Sequence, residues 1–393
     1  MKSNYKKIGD HIRLVDERNA GHKVKTLLGL SISKQFIPSV ANIIGTDMEN
    51  YKIIRRNQFA CSTMQVRRDK KMPVALLQEH EEAIMSAAYP VFEVTDTKKL
   101  LPEYLMMWFS RAEFDREACF YAIGGVRGSL EWEDFCEMKL PIPNPDKQKK
   151  IVAEYNSIVN RIALNNQLIQ KLEETAQAIY KQWFVEGIDV ENLPDGWRIN
   201  KIKNICPKIG SGSTPTGGKE RYVDSGISLI RSTNVFDYNF SFEDLAFIND
   251  EQANKLKNVE VEENDILFNI TGVSVARCCM VPKNVLPARV NQHVMIIRPF
   301  KELSIAYYLH LNLCSTNSKN ALLGISQSGS TREAITKTEI EEFEIIIPKK
   351  DLLERFENSI QKIFYEKELK SFENQKLSEM KGLLLSKLAT IEN

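Results

Sequence analysis

The chain writes one long segment twice. QKLEETAQAIYKQWF (Gln170–Phe184) and QKLSEMKGLLLSKLA (Gln375–Ala389) both open with Gln-Lys-Leu and start 205 residues apart. At the same offset Pro143 meets Pro348, each closing an apolar run (KLPIP, IIIP), and Glu174 meets Glu379. Arg127, in GGVRGSLEWEDF, meets Arg332, in GSTREAITKTEI. With small shifts of register, RRNQFACSTM around Asn57 aligns with ENDILFNITG around Asn264, and AYPVFEV with HVMIIRP. The pairings keep one order. A period near 200 is far longer than a solenoid repeat, so the chain reads as a duplicated unit of one domain followed by one helix.

The helices follow from apolar spacing. No proline lies between Pro145 and Pro194. In that window Ile151, Tyr155, Ile158, Ile162, Ile169, Leu172, Ala176, Ile179 and Trp183 recur at steps of four and three, with Asn165 filling one polar position. That heptad pattern predicts a coiled-coil seam, with Asp146 as N-cap. About 40 residues at about 1.5 Å each make a rod of about 60 Å. The twin, from Asp351 to about Thr390, keeps a seam at Phe356, Ile360, Ile363, Leu377, Leu384 and Leu388. Lys367 and Lys370 interrupt it, which reads as a stutter. Each apolar stripe needs a cover, and the nearest is its own twin, packed antiparallel about a pseudo-twofold axis. Trp183, Phe184, Leu383 and Leu385 lie off the main seam and suggest a partner chain as well.

The predicted fold class is α+β twice over: two domains related by pseudo-twofold symmetry and separated by two long antiparallel coiled-coil helices. The expected boundaries are 1–145 for the first domain, 146–186 for the first helix, 187–346 for the second domain and 347–393 for the second helix. NLPDGWRINKI marks the joint between halves, with a Pro-Asp-Gly turn. Leu101–Ala118 reads as a helix with Leu105, Trp108 and Phe109 toward the core, and Glu302–Leu313 as its counterpart.

Composition narrows the function. A chain with 43% hydrophobic and 27% charged residues is ordinary globular protein. No run of 18 apolar residues occurs, so no membrane span is expected. Seven cysteines without a CxxC pair, behind an N-terminus lacking an apolar signal core, point to reduced thiols and a cytoplasmic location. GSGSTPTGGKE (Gly210–Glu220) fails as a phosphate loop: Ser213 stands at the first glycine position and Glu220 at the Ser/Thr position. None of the five histidines pairs with another ligand at metal-binding spacing, and vicinal Cys278-Cys279 suits one ion poorly. No nucleophile elbow, dinucleotide fingerprint or Asn-Pro-Pro-aromatic methyltransferase signature is present. The expectation is therefore a binding protein with no catalytic residue, no metal and no cofactor of its own.

Basic and amide-rich runs supply the DNA-contact candidates. The first half offers Arg55, Arg56, Gln65, Arg67, Arg68, Lys70, Lys71 and Arg127. The second offers Ser211, Ser213, Thr214, Lys219, Arg231, Asn234, Asn269, Thr271, Arg277, Arg289, Asn291, Gln292, His293 and Arg332. Arginine suits guanine and Asn/Gln suit adenine in the major groove. Lysine, arginine, hydroxyls and free amides also hold phosphates. A net charge of +1 means that any basic face must be local.

Taken together, these stretches resemble the specificity subunit of Type I restriction–modification systems. LPDGWRINKIKNI followed by GSGSTPTGG resembles the start of a target recognition domain. ILFNITGVSVARCCMVPKNVLPARVNQHVMIIRP resembles its central block, and SGSTREAITKTEIEEFEIIIP its exit. In the first half YKIIRRNQFACSTMQVRRDKK, SAAYPVFEV and GGVRGSLEWEDFCEMKLPIP resemble a second type of recognition domain. The resemblance implies double-stranded DNA as ligand, each domain reading one half of a bipartite asymmetric site. It implies helices that set the unread spacer and dock two modification (methyltransferase) subunits. Those subunits would carry S-adenosylmethionine, and restriction/translocase subunits would complete the complex. A non-catalytic coiled-coil scaffold, and a solitary DNA methyltransferase or nuclease, are the alternatives the residues leave open.

Overall fold

The computed structural model describes residues 5–39, 47–122, 128–215, 217–327 and 333–391. The chain divides into two compact units, Met1–Ile162 with Lys376–Asn393, and Ala163–Gln375. Both divisions fall inside the long helices, Pro145–Phe184 and Lys350–Lys387.

The first unit opens on strand Tyr5–Lys7, which pairs antiparallel with Lys139–Pro141 just before the first long helix. A short 3-10 turn, Ile8–His11, leads into a four-stranded sheet ordered Ile12–Val15, Val91–Val94, Phe59–Cys61, Val74–Leu76. Two ribbons, Leu28–Leu30 with Phe36–Pro38 and Lys52–Arg55 with Glu82–Met85, are its other strands among the described residues. The core forms where the sheet meets three helices, Pro102–Phe109, Ala112–Tyr121 and Trp132–Glu137. Phe59 stacks on Phe92 with centroids 5.0 Å apart, and Phe109, Phe114 and Phe135 close over them. Leu105, Trp108 and Phe109 are buried as the sequence predicts.

The second unit repeats this plan. Arg198–Lys201 pairs with Glu344–Ile347 before the second long helix. The 3-10 turn Ile202–Asn204 follows, then a sheet ordered Lys208–Ser211, Val294–Arg298, Ile266–Asn269, Cys278–Met280. The strand order matches that of the first unit, element for element. Asn57 and Asn264, aligned by sequence, both take left-handed backbone (φ 67° and 69°) immediately before equivalent strands. Asparagine tolerates that conformation better than most residues because its short amide bonds locally. The units then diverge. The second adds a separate sheet, Ala246–Ile248, Ile227–Ile230, Ala288–Val290, Glu260–Val261, with its own apolar core.

The expected helix Leu101–Ala118 is two helices, Pro102–Phe109 and Ala112–Tyr121. Ser110 turns its hydroxyl back onto Met106 O at 2.8 Å, and Arg111 is extended, so the chain breaks there. Its counterpart has the same form, with helix Ala306–Cys314 followed by Thr316–Gln327.

The first long helix begins at Pro145, and its N-cap is Asn144 rather than Asp146: Asn144 Oδ1 accepts the Lys147 amide at 2.9 Å. Proline at the first helical position removes one amide that would lack a partner anyway. Gln148 fixes the helix to its domain, donating to Lys99 O and Pro143 O and accepting from Leu101 N. The seam holds at Ile151, Asn165, Ile169 and Ala176, then widens to Tyr180 and Phe184. Phe184 was expected off the seam. It is buried because the last turns pack into the domain core, with Tyr308 and Phe356 both 4.8 Å away.

The helices run antiparallel. Within the second unit Asn165 Nδ2 donates to Asn374 Oδ1 at 2.9 Å, Glu173 faces Lys367, and Trp183 meets Phe356. Within the first unit Ile151, Val152 and Tyr155 share a core with Leu384, Leu385 and Leu388. Among the described residues no helix is long and apolar enough to cross a membrane.

Candidate nucleic-acid interface

The strand ends of the second unit gather three loops. Gly212 sits so close to the Val290 carbonyl that a Cβ there would lie 1.7 Å from its oxygen. Its amide donates to Asn291 O at 3.2 Å, so only glycine lets the first loop seat against the third. Thr214 then donates its hydroxyl to Gln292 Oε1. Gln292 Nε2 lies 3.1 Å from His293 Nε2, and His293 Nδ1 lies 2.7 Å from Thr271 Oγ1. Four side chains from three loops thus form one polar row. Ser211, Ser213, Thr214 and Gln292 are exposed, and Thr271 and His293 are partly so.

Behind this row stands Asn269. It is fully buried and donates to Ser232 O at 3.0 Å and Val235 O at 3.2 Å. It therefore ties the 232–235 loop to its own strand, Ile266–Asn269, while its Oδ1 is buried without a partner. Asn234, also fully buried, does the same for Ser241 O and Glu243 O. Asn291 accepts the His293 amide through Oδ1 at 3.0 Å and shapes the third loop. Arg289 is buried, with Nε on Ala253 O, Nη1 on Ala288 O and Glu260 3.5 Å away. These four sequence candidates are buried, and their hydrogen bonds shape the loops behind the surface. Residue type marks a possible reader, but only burial separates a reader from a brace.

Arg231 is half-committed, with its guanidinium on Asp244 O and over the Tyr222 ring. Arg277 is partly exposed and stacks on Phe236 at 5.3 Å, with Phe236 itself 43% exposed. A residue absent from the sequence-based set joins them. Val273 is 97% exposed at a turn whose Gly272 has φ +70°. The aligned ITG tripeptide was the available signal for that loop, but nothing in it marked Val273 as the tip.

In the first unit, the loop after the equivalent strand carries the charge. Gln65 and Lys70, both left-handed, bracket the short helix Val66–Asp69. Gly128 O accepts the Arg67 amide at 3.2 Å, and Gly128 packs against the Arg67 stem. Arg67, Lys70 and Lys71 are exposed and have no carboxylate within ion-pair distance among the described residues. Arg55, Arg56 and Arg68 differ. Arg55 pairs with Glu17 at 2.7 Å and Glu82 at 2.8 Å, Arg56 with Glu81 at 2.7 Å, and Arg68 with Asp69 at 2.6 Å. Hydrogen bonding from Arg55 holds the Glu17 carboxyl below the usual range. Arg127 and Arg332 lie outside the described residues, as does the side chain of Lys219.

Two mixed domains of one sheet topology, each ending in a long helix and each presenting different polar loops at its strand ends, define a duplicated α+β protein. The chain belongs to the family described as Type I restriction modification DNA specificity domain, whose model matches residues 67–174 and 194–383. It is 22% identical over 369 residues to the Type I restriction enzyme HindI specificity subunit of Haemophilus influenzae, covering 78% of this chain and 80% of that protein. It is 23% identical over 319 residues to the Type I restriction enzyme MjaIX specificity subunit of Methanocaldococcus jannaschii, covering 74% and 68%. The crystal structure of a Type-I restriction-modification system S subunit from M. genitalium shares the fold, with TM-score 0.59 and 12% identity over 99% of this chain and 96% of that one. The expected assignment as a specificity subunit stands.

Proposed function

We propose that this chain reads a bipartite, asymmetric site on double-stranded DNA, each recognition domain taking one half. The observation that carries this reading is the repeated sheet topology with unlike loops. A shared frame would hold each reading surface alike on DNA, while different loops select different bases. The first half would use the cationic loop at Arg67, Lys70 and Lys71, and the second the polar row from Thr214 to Thr271 with Arg277 beside it.

The paired helices would set the unread spacer, since their seam fixes a rigid length of about 1.5 Å per residue. They would also dock two modification subunits. Those subunits would bring S-adenosylmethionine and methylate adenine, and restriction/translocase subunits would join them in the cytoplasm. This chain would supply specificity without catalysing either step.

Single-molecule sequencing of methylated adenine, in cells with and without the chain, tests the proposal. Loss of one bipartite methylated motif on deletion supports it. Inserting one heptad into each long helix should lengthen the spacer and leave both half-sites unchanged. Exchange of residues 1–145 for another recognition domain should change one half-site alone. Methylation of DNA by the purified chain alone would refute the non-catalytic role.

A further inference from the structure

A thiol–imidazole cluster lies inside the second unit, away from the polar row. Cys278 opens strand Cys278–Met280, and its side chain enters the core shared by Tyr308 and Leu309, while Cys279 points into the other core. His310 and Cys314 stand four residues apart on helix Ala306–Cys314 and so share one face. One ligand atom from each of the three residues lies within 4.8 Å of the others, and the two sulfurs are 3.2 Å apart.

His310 gives the independent sign. Its ring is fully buried, and neither nitrogen has a hydrogen-bond partner. It packs edge-on to Tyr238 and Phe364, at 5.8 and 5.6 Å. A buried polar group normally finds a partner, and one left without costs stability. The frame around the cluster is well held. The Cys278 amide donates to Asp237 Oδ1 at 3.2 Å, Lys319 pairs with the same carboxylate at 2.6 Å, and Tyr238 OH donates to Cys314 O at 3.1 Å. A cavity of about 620 Å³ reaches Cys314 and is lined also by Tyr238, Asn312 and Ser315, which gives an ion and a water a way in.

We propose that Cys278, His310 and Cys314 form a site for a soft divalent cation, with Zn²⁺ as the fitting ion. Two thiolates neutralise the dication in a closed, low-dielectric place, and one imidazole nitrogen acquires a partner. Zinc–sulfur bonds of about 2.3 Å and zinc–nitrogen bonds of about 2.0 Å need the sulfurs to part by roughly half an ångström. Water from the cavity completes the tetrahedron. Binding exchanges two thiol protons for the ion, so affinity rises with pH. The bound ion staples the strand after Arg277 to the helix. No metal is expected from the sequence, and His310 and Cys314, which stand four residues apart, are passed over there; the third ligand lies 32 residues before His310, on a strand.

The test uses the full chain, purified under reducing conditions with and without its modification subunits. Elemental analysis after equilibration with micromolar Zn²⁺ and gel filtration should find about one ion per chain. Co²⁺ in its place should give the visible bands of a tetrahedral ion and a near-ultraviolet thiolate charge-transfer band. Cys314→Ser and His310→Gln should abolish that signature, while Cys279→Ser, the neighbouring thiol turned away, should keep it. The wild-type Co²⁺ spectrum decides the matter even if the ligand variants fold poorly. Absence of stoichiometric metal in folded wild-type chain would overturn the site. So would an octahedral, sulfur-free Co²⁺ spectrum, or a Cys278–Cys314 disulfide that excludes the ion.

Discussion

Lys367 Nζ lies 2.8 Å from Glu173 Oε1 between the two long helices, with the side chains only 10% and 14% exposed. The contact is an ion pair rather than a well-aligned hydrogen bond, and Lys367 directs a proton to Tyr238 O. The lysine that interrupts the apolar seam is therefore paired with the twin helix. Removing one partner strands the other charge in a poor solvent, at a cost of about 3–5 kcal/mol. Lys367→Ala should lose stability on that scale in urea unfolding followed by circular dichroism. Lys367→Met with Glu173→Leu should recover most of it. Equal losses in the single and double variants would reject the pairing.

Asp265 follows the left-handed Asn264 and is fully buried, held by Arg298 through Nε at 2.7 Å and Nη2 at 2.9 Å. Burial raises its pKa, and Arg298 opposes the rise. A carboxyl that holds its proton more tightly when folded subtracts stability above its folded pKa, and that loss fades as pH falls through it. Arg298→Gln removes the opposing charge, so its deficit should be greatest at neutral pH, about 3–5 kcal/mol. The deficit should shrink on acidification through the raised Asp265 pKa. Unfolding midpoints across that range check this. Arg298→Gln combined with Asp265→Asn should show no such narrowing.

Much of this fold was legible because it is written twice. The repeat located Asn57 against Asn264 and AYPVFEV against HVMIIRP, and those pairs fall on equivalent turns and strands. Heptad spacing found both helices, since apolar periodicity survives without tertiary context. The interface was less legible. Asn269, Asn234, Asn291 and Arg289 have the side chains of base readers, yet each is buried and bonded within the domain. Residue type does not report burial when the partners, such as Ser232 O for Asn269 and Ala253 O for Arg289, lie 37 and 36 residues away. Phe184 was misplaced for a related reason: a seam read against one helix omits the domain core that covers its last turns.

The exposed cations of the first unit divide into paired and unpaired, and DNA affinity should separate them. Each phosphate neutralised adds about 0.9 to the slope of log affinity against log salt. Arg67→Ala, Lys70→Ala and Lys71→Ala should each lower that slope by up to about 0.9. Arg56→Ala and Arg68→Ala should move it less, because Glu81 and Asp69 already hold those guanidiniums. Fluorescence anisotropy of the complex assembled with modification subunits, from low to moderate salt, measures both sets. Equal slopes throughout would remove this loop from the interface.

Gly212 and Gln292 test the second half-site from opposite sides. Gly212→Ala places a methyl group against Val290 O, so the first loop must leave the third and the row from Thr214 to Thr271 must open. Binding should then weaken at every position of that half-site. Gln292→Ala gives up the Thr214 contact but keeps the Gly212 amide on Asn291 O, so the loops stay seated, and it removes one amide able to make two hydrogen bonds to a base. Its effect should fall on one base pair, with discrimination lowered by about 1–3 kcal/mol, or roughly 5- to 150-fold. Competition by duplexes substituted singly across both half-sites distinguishes the outcomes. Position-specific relaxation in Gln292→Ala, beside general weakening confined to the same half-site in Gly212→Ala, is expected. Uniform weakening by Gln292→Ala across both half-sites would assign this residue to the backbone and move base reading to Arg277 and its neighbours.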